Sequence, residues 1–249
     1  DDLSAALDGY AVPGEYAVAV TDLQTGQSIS LNGDRPQLAG CVMNLFVLMA
    51  ATDAIEEGRL AESAVGGLIA STTWSSNATT AKEIVRILGE GDGVTGTQRV
   101  ADYIELLGLD GEVILDHPPL YAEYTIGRDP NNWVTADAMN QALVLLWEGD
   151  ILAEPWRSFL LDHLEAVKPG LNYLVASVPA TVSHKNGFFR ASNGYVDNDA
   201  GIVRFTAGDR EYAYVVTLLS QRVDVKYADV PLGQELMRTI HSYFTSTYP

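Results

Sequence analysis

Three short segments of the chain bring together side chains suited to nucleophilic or anion-binding chemistry. Cys41 and Asn44 lie three residues apart at the start of a long apolar stretch, so a helix there would place both on one face. A helix N-terminus favours anions and lowers the pKa of a thiol. The second segment is Ser75–Asn77, and in the third Lys185 precedes Gly187, which permits a close approach of the backbone. The sequence therefore offers a thiol, hydroxyls and an amine as candidate reactive groups.

Each segment also has a purely structural interpretation. A single cysteine at the start of a helix is more often a small buried hydrophobic residue than a nucleophile. Ser-Ser-Asn ahead of a helix is typical of an N-terminal cap. Lys-Asn-Gly in a β region is typical of a hairpin turn. The elements that carry the three segments are needed to choose between these interpretations.

Alternating polarity predicts strands towards both ends of the chain. Glu15–Asp22 is predicted to be a strand, Thr25-Gly26 a turn and Gln27–Leu31 the returning strand. Turns at Gly194 and Gly208 separate the strands of a second group. The strands of this second group are Thr181–His184, Ala200–Ala207 and Glu211–Leu219.

Helical periodicity occupies the middle of the chain and its ends. We expect a short opening helix at Leu3–Leu7, a buried helix over Cys41–Ile55 that Gly58 terminates, and a last helix over Pro231–Phe244. Four helices lie between the buried and the last one: Ala78–Leu88, Gly96–Leu107, Thr135–Trp147 and Glu154–Val167. Thr135 or Asn132 is the expected N-cap of the third. The loop between Leu115 and Val134 is long enough to indicate a functional role.

The order of these elements predicts an α+β fold, because the first strands precede the helical block and the last strands follow it. We expect an antiparallel five-stranded sheet flanked by terminal helices, with an inserted all-helical subdomain. The chain would form a single domain, with a sheet lobe at about 1–40 and 180–249 and a helical lobe at about 41–179.

Composition and charge narrow the function classes. The 249 residues carry 15 Lys+Arg and 33 Asp+Glu, a formal net charge of −18, which argues against nucleic-acid and anionic-membrane partners. The apolar runs fall short of the roughly 20 residues that cross a bilayer, so we expect no membrane insertion. A single cysteine excludes an intramolecular disulfide, and with four scattered histidines it predicts no metal site; we also expect no cofactor. The start at Asp1 and the acidity favour a mature, secreted or periplasmic bacterial protein.

The order of the three segments resembles that of the penicillin-recognising serine hydrolases, and within them the class A β-lactamases. That family carries Ser-x-x-Lys at the head of a buried helix, Ser-x-Asn in its helical domain and Lys-Thr-Gly on a strand. Val18–Leu31 is similar to the family's opening hairpin, Leu38–Leu48 to its nucleophile helix, and Asn198–Val203 to the strand after Lys-Thr-Gly. The resemblance covers about residues 10–245 and implies the β-lactamase/transpeptidase-like fold.

The resemblance locates the first two motifs of the family in this sequence. The first is changed at two positions, and the second is intact. Cys41 stands at the position of the nucleophilic serine. Asn44 stands at that of the lysine, whose amine transfers protons in the family, and an amide cannot take over that role. Ser75 and Asn77 match the second motif, with Asn77 as a ligand-binding residue.

The third motif is matched by Lys185, Asn186 and Gly187, with Asn186 in place of threonine. The resemblance implies that Asn186, Gly187 and Phe188 contact the ligand. It also implies an oxyanion hole at the backbone N–H groups of Cys41 and Phe188, which requires no particular side chains.

The fourth catalytic element of class A enzymes is a glutamate in the long loop, which activates the hydrolytic water. Counting back from Thr135 without gaps places Pro119 in that position, and proline has no acid–base function. Glu123 lies four residues further on and would replace the missing glutamate only if the loop were re-registered.

Two functions are compatible with these altered motifs. In the first, the protein is inactive or impaired toward β-lactams, and Ser75, Asn77 and Lys185 line a cleft that binds a small-molecule or peptidoglycan-like ligand, or a partner. In the second, Cys41 is the nucleophile of a hydrolase acting on a β-lactam, amide, ester or peptidoglycan-like substrate, with Ser75 and Lys185 relaying the proton. Because each general base contributes about 10²–10⁴ in rate, we expect no efficient β-lactam turnover.

Overall fold

The computed structural model describes residues 12–248, so the predicted helix at Leu3–Leu7 lies outside the described part. Its strands are β1 Glu15–Asp22, β2 Ser28–Leu31, β3 Gln37–Leu38, β4 Val113–Ile114, β5 Trp133–Val134, β6 Thr181–Ala191, β7 Gly194–Ala207 and β8 Arg210–Gln221. Its helices are α1 Asn44–Glu56, α2 Glu62–Ser75, α3 Ala78–Leu88, α4 Gly93–Leu106, α5 Ala136–Glu148, α6 Trp156–Glu165 and α7 Val230–Thr247.

Five strands form the main sheet in the order β2-β1-β8-β7-β6, and every neighbouring pair is antiparallel. This confirms the predicted five-stranded antiparallel sheet, which the chain assembles from its two ends. The strands β3, β4 and β5 form a small second sheet in the order β3-β5-β4, in which β4 lies at the start of the long loop and β5 at its end.

The third motif lies inside β6 and not in a turn. Lys185 is opposite Ala200 of β7, and Gly187 is opposite Asn198. The hairpin-turn interpretation of Lys-Asn-Gly is therefore wrong, and the strand predicted to end at His184 continues to Ala191. The hydrophobic pattern could not predict this continuation, because Lys185 and Asn186 are polar residues that are nevertheless buried in the strand.

The two faces of the sheet pack against different helices. On β1, Ala17 and Ala19 belong to the apolar cluster around α1, which also includes residues of α3, α4 and α5. Val18 and Val20 point to the opposite face, where they pack with Leu236 and other residues of α7. The period of two along β1 thus positions the sheet between the C-terminal helix and the helical block.

The helix α1 is buried along nearly its whole length, since all of its residues except Asp53 and Glu56 are buried. It begins after a 3-10 turn at Gly40–Met43, so the predicted single helix consists of two parts. The helix α2 was missing from the sequence prediction. It contains Gly66-Gly67 and several Ser and Thr residues, which obscure the apolar stripe by which helices are recognised.

The predicted N-cap of α5 is confirmed at Thr135, whose hydroxyl accepts a hydrogen bond from Ala138 N at 3.1 Å. Asn132 instead accepts bonds from the loop backbone at Asp116 N and His117 N. Within residues 12–248, no helix has both the length and the apolar character required to cross a bilayer. The same residues contain no group of three His, Cys, Asp or Glu side chains able to hold a metal ion.

Candidate functional site

The turn that carries Cys41 is held in place by two carboxamides of the main sheet. Asn198 Nδ2 donates to the carbonyls of Leu38 at 2.7 Å and Ala39 at 3.0 Å. Gln221 Oε1 accepts from Leu38 N at 3.0 Å. These buried bonds fix the backbone immediately before Cys41, whose side chain is itself buried.

Gly187 brings β6 against the same turn. A Cβ atom at this position would lie 2.8 Å from Cys41 N and 3.0 Å from Cys41 C, and closer still to Val42 N. Real Cβ atoms do not approach backbone that closely, so only glycine fits here. The absence of a side chain therefore sets the spacing between the Cys41 turn and the strand that carries Lys185.

Asn44 begins α1 and is completely buried. Neither Oδ1 nor Nδ2 of its amide has a hydrogen-bond partner, which is unusual for a buried polar side chain. The position at which the resemblance expects a proton-transferring amine thus holds an unpaired amide. None of the hydrogen bonds found within residues 12–248 involves the side chain of Cys41 either.

Lys185 is buried at the centre of the site. Its Nζ donates to Ser76 Oγ and to the carbonyl of Asn186, both at 2.5 Å. Burial lowers the pKa of Lys185 to about 8, and the negative charges of a Cys41 thiolate and of Asp199 oppose this shift. Lys185 is therefore a buried cation at neutral pH.

The hydroxyl that reaches Lys185 belongs to Ser76, and the predicted contact through Ser75 is wrong. Ser75 is the last residue of α2, and its Oγ donates back to Ser71 O at 3.2 Å. Ser76 has a left-handed conformation with φ of 54° and also donates to Asn186 O at 3.3 Å. Because α2 extends through Ser75, the chain turns toward β6 one residue later than the motif suggests.

The side chain of Asn77 caps α3. Its Oδ1 accepts from Thr79 N at 3.0 Å and from Thr80 N at 3.4 Å, and its Nδ2 donates to Ser71 Oγ at 3.3 Å. The structural interpretation of this asparagine as a helix cap is thus confirmed. The amide atoms expected to bind a ligand already have partners within the protein.

The loop provides no free carboxylate at the two positions considered for the hydrolytic base. Pro119 is buried, whereas Glu123 is exposed and forms an ion pair with Lys82 of α3. The Lys82 ammonium also lies 4.3 Å from the ring centre of Tyr121 and 4.9 Å from that of Tyr124. Glu123 therefore connects the loop to α3, and the proposed re-registering of the loop has no support from its contacts.

Two buried aspartates near the site, Asp197 and Asp199, were not among the predicted site residues. His184 Nδ1 is 2.7 Å from Asp199 Oδ1, and Val175 N donates to the other oxygen of Asp199 at 3.0 Å. Tyr173 donates to Asp197 at 2.8 Å, and burial raises the pKa of Asp197 to about 8. A signal was present in the sequence, because two aspartates at alternate positions of an apolar strand must share one face.

An aromatic surface with two cations extends from the third motif. The ring centre of Phe188 is 4.7 Å from that of Tyr227 and 5.9 Å from that of Tyr195. Lys226 Nζ lies 5.2 Å from the Phe188 ring, and the Arg190 guanidinium 5.8 Å from the Tyr195 ring. Neither cation forms an ion pair with any residue in the described range. Two cations without an ion-pair partner among these residues thus border the aromatic surface at this edge of the site.

Comparison with known proteins gives consistent results. Residues 63–244 match the model of the β-lactamase enzyme family, so Cys41 and Asn44 lie outside the matched part. The β-lactamase FAR-1 of Nocardia farcinica is 34% identical over 180 residues, which are 71% of this chain and 53% of that protein. The chain thus matches about half the length of this curated relative.

Solved structures share the fold at low sequence identity. PBP-A superposes with a TM-score of 0.79 at 18% identity, over 98% of this chain and 95% of that one. A β-lactamase from Chitinophaga pinensis gives a TM-score of 0.79 at 19% identity, over 98% of both chains. An ancestral class A β-lactamase gives 0.78 at 21% identity, again over 98% of each chain. These likenesses establish the β-lactamase/transpeptidase-like fold.

Proposed function

Since the chain belongs to the β-lactamase enzyme family, we propose that it keeps that family's cleft as a binding site for an anionic β-lactam-like or peptidoglycan-like ligand but does not turn this ligand over efficiently. The observation that carries the proposal is the completely buried, unpartnered amide of Asn44. An amide there neither accepts a proton from a nucleophile nor returns one to a leaving group.

The remaining basic group near Cys41 does not replace the missing amine. With a pKa of about 8, Lys185 keeps its proton in about nine-tenths of the molecules at pH 7. Its hydrogen bonds go to Ser76 and to the Asn186 carbonyl, and none is made to Cys41. A general base needs both a free site for a proton and a hydrogen bond to the group that loses it.

Hydrolysis of an acyl intermediate needs a further base that activates water. The position given by the resemblance is occupied by Pro119, and Glu123 is engaged by Lys82. Even if a ligand acylated Cys41, the described loop residues offer no free carboxylate at these two positions for its release. The contacts therefore support binding in preference to turnover of the ligand.

The charges of the cleft support an anionic ligand. Lys185 supplies a buried ammonium, and Lys226 and Arg190 add two cations without carboxylate partners beside Phe188. In a chain with net charge −18, these three cations offer an anion groups with which to pair. The aromatic rings between the cations provide an apolar contact area for the rest of the ligand.

A second candidate function is acyl transfer through Cys41, and one observation favours it. The Lys185 ammonium and a Cys41 thiolate stabilise each other, and a thiolate is an effective nucleophile. This function requires the thiol to lose its proton without a hydrogen-bonded base.

Intact-protein mass spectrometry after incubation with benzylpenicillin separates the two functions. We expect wild-type protein to show no added mass and no conversion of the penicillin, while the ligand still raises Tm. Lys185→Met should abolish the rise in Tm, whereas Lys168→Met, at an exposed lysine, should leave it unchanged. A stable adduct on Cys41 would establish the acyl-transfer function, and hydrolysed penicillin would overturn the proposal.

A restored motif tests the role of Asn44 directly. The double variant Cys41→Ser with Asn44→Lys regains Ser-x-x-Lys and should accumulate a penicillin adduct, because acylation returns while the hydrolytic base is still absent. Cys41→Ser alone is the matched control and should remain unmodified. Equal acylation of both variants would show that the Asn44 amide is not what blocks the reaction.

A further inference from the structure

The loop at residues 222–229, which joins β8 to α7, crosses the edge of the cleft. Its Lys226 Nζ lies 5.2 Å from the ring centre of Phe188, and the Tyr227 ring centre lies 4.7 Å from that of the same ring. Arg222 and Tyr227 have left-handed backbone conformations, with φ of 59° and 62°, which residues other than glycine rarely adopt. Such conformations persist only where neighbouring contacts impose them, so the attachments of this loop determine whether it stays on the cleft.

The loop is attached near each of its ends. Val223 is buried and exchanges two backbone hydrogen bonds with Tyr195 of β7, one from Tyr195 N at 2.8 Å and one from Val223 N at 3.2 Å. At the other end, the buried Asp229 accepts a hydrogen bond from Ser220 Oγ of β8. The residues between these two attachments, 224–227, are exposed. The side chain of Asp229 therefore holds the half of the loop that carries Lys226.

Asp229 shares its hydroxyl partner with a second buried aspartate, Asp197 of β7. Ser220 Oγ also donates to Asp197 O at 2.9 Å and accepts from Asp197 N at 3.1 Å. Tyr173 donates to Asp197 Oδ1 at 2.8 Å, whereas Asp197 Oδ2 and Asp229 Oδ1 have no hydrogen-bond partner among the described residues. Both aspartates line one narrow cavity of about 20 Å³. Asp197 and Asp229 thus form a buried carboxyl pair.

The surroundings of the carboxyl pair supply no positive charge. Within the described part of the chain, no lysine, arginine or histidine lines the cavity. The other titratable or charged residues on the elements around the pair are Tyr16, Tyr173, Asp199 with its partner His184, Arg222 with its partner Glu15, Tyr227, and the exposed Glu235 and Arg238 of α7.

Two adjacent carboxylates buried without a cation are strongly disfavoured, so the carboxyl pair retains a proton at neutral pH. The direction of both pKa shifts agrees with this argument. Burial raises the pKa of Asp197 to about 8, and the negative charge of Asp229 adds to the shift. Burial also raises the pKa of Asp229.

We propose that the carboxyl pair is a proton-operated latch: while Asp197 holds its proton, Asp229 stays on Ser220 and the loop lies on the cleft, and when that proton passes to solvent, the second negative charge expels Asp229 and releases the loop. Asp229 is the member that moves, because Asp197 lies within β7 between two paired strands and is also held by Tyr173. Release takes Lys226 away from Phe188. The movement itself is independent of the proposed function, and only its effect on ligand affinity rests on that function.

Tryptic cleavage after Lys226 in the ligand-free protein tests the proposal. The cleavage rate is divided at each pH by that of a synthetic peptide of residues 223–230, which removes the pH dependence of trypsin itself. Cleavage within a rapidly opening loop follows the open fraction. Because the pKa of Asp197 is about 8, its ionised fraction rises about thirtyfold between pH 6.5 and pH 9.5. We expect the normalised rate to rise by about the same factor, with its midpoint near pH 8.

Three variants assign the rise to the latch. Asp197→Asn has no charge at any pH and should keep the normalised rate low throughout. Ser220→Ala removes the hydroxyl that holds Asp229 and should raise the rate already at pH 6.5. Asp224→Asn is the matched control, because it removes an exposed carboxylate of the same loop and should retain the wild-type rise.

Cleavage after Arg210, in the exposed β7–β8 turn, separates release of the loop from unfolding of the whole protein. Its rate, normalised in the same way, should stay constant between pH 6.5 and pH 9.5. An equal rise at Arg210 and Lys226 would assign the effect to global unfolding and overturn the proposal. A flat wild-type profile, a rise that survives in Asp197→Asn, or its loss in Asp224→Asn would overturn it as well.

Discussion

We expect the replacement of Gly187 by alanine to move the strand that carries Lys185 away from the turn that carries Cys41. The added methyl would meet Cys41 N at 2.8 Å, Cys41 C at 3.0 Å and, closer still, Val42 N. Ordinary contacts between such atoms are about 3.5 Å, so the strand and the turn must move apart by at least half an ångström. All three atoms belong to the backbone, so no side chain can rotate away to relieve the contact.

The expected cost is about 3 kcal/mol, the upper end of the range for overpacking a tight site. For a chain of this length, each kcal/mol lowers Tm by roughly 2–4 °C, so Gly187→Ala should melt about 6–12 °C below wild type. The displaced turn should also expose Cys41, and its alkylation by iodoacetamide should accelerate. Calorimetry and mass spectrometry measure the two effects on the same sample.

Gly67→Ala is the matched control, because it adds the same methyl group at an exposed position of α2 with nothing within 4 Å. Alanine is favoured over glycine in a helix by roughly 0.5–1 kcal/mol, so this variant should melt slightly above wild type. If Gly187→Ala melted within 1 °C of wild type, the argument that backbone contact sets the position of Cys41 would be refuted.

Three further predictions follow from the contacts of the site. Burial raises the pKa of Asp197 from 3.8 to about 8, so its stabilising proton is lost as the pH rises through 8, and the unfolding free energy should fall by about 2 kcal/mol between pH 6 and pH 8. Urea melts of Asp197→Asn should lack this fall, and an unchanged slope would contradict the assignment. Asn77→Ala should cost about 1 kcal/mol in the same melts, because the α3 cap is lost. A loss of ligand affinity without a loss of stability would instead restore the ligand-binding role of Asn77. Glu123→Gln should leave any trace hydrolysis of nitrocefin unchanged while trypsin cleaves the loop faster, and loss of that hydrolysis would identify Glu123 as the base.

The parts of the fold that were predictable have a strong local pattern. The strand Glu15–Asp22 and the helix Ala78–Leu88 have the predicted bounds, because each carries a clear apolar pattern of its own type, a short run rich in Ala and Val in the strand and a stripe with helical spacing in the helix. The long apolar stretch after Gly40 indicated a buried helix for the same reason. In these segments local preference and tertiary packing agree.

The position of the second motif, Ser75–Asn77, depends on where the helix α2 ends, and α2 has no such pattern. The helix α2 contains a glycine pair, and its apolar residues do not form a clear stripe, so its end at Ser75 could not be predicted. The left-handed conformation of Ser76 follows from that helix end and decides which hydroxyl reaches Lys185. A one-residue error in the helix end therefore becomes an error in the identity of a site residue.

The sheet order has a consequence for the synthesis of the protein. Glu15 of β1 is paired with Gln221 of β8, 206 residues later in the chain. Until β8 leaves the ribosome, β1 has no inner neighbour, and the apolar α1 has no completed sheet to pack against. Folding must then wait for almost the entire chain, and the nascent protein presents its most apolar helix to chaperones throughout translation. A chain that terminates before β8 should be retained by chaperones or aggregate, even though every residue of the Cys41 turn has already been made.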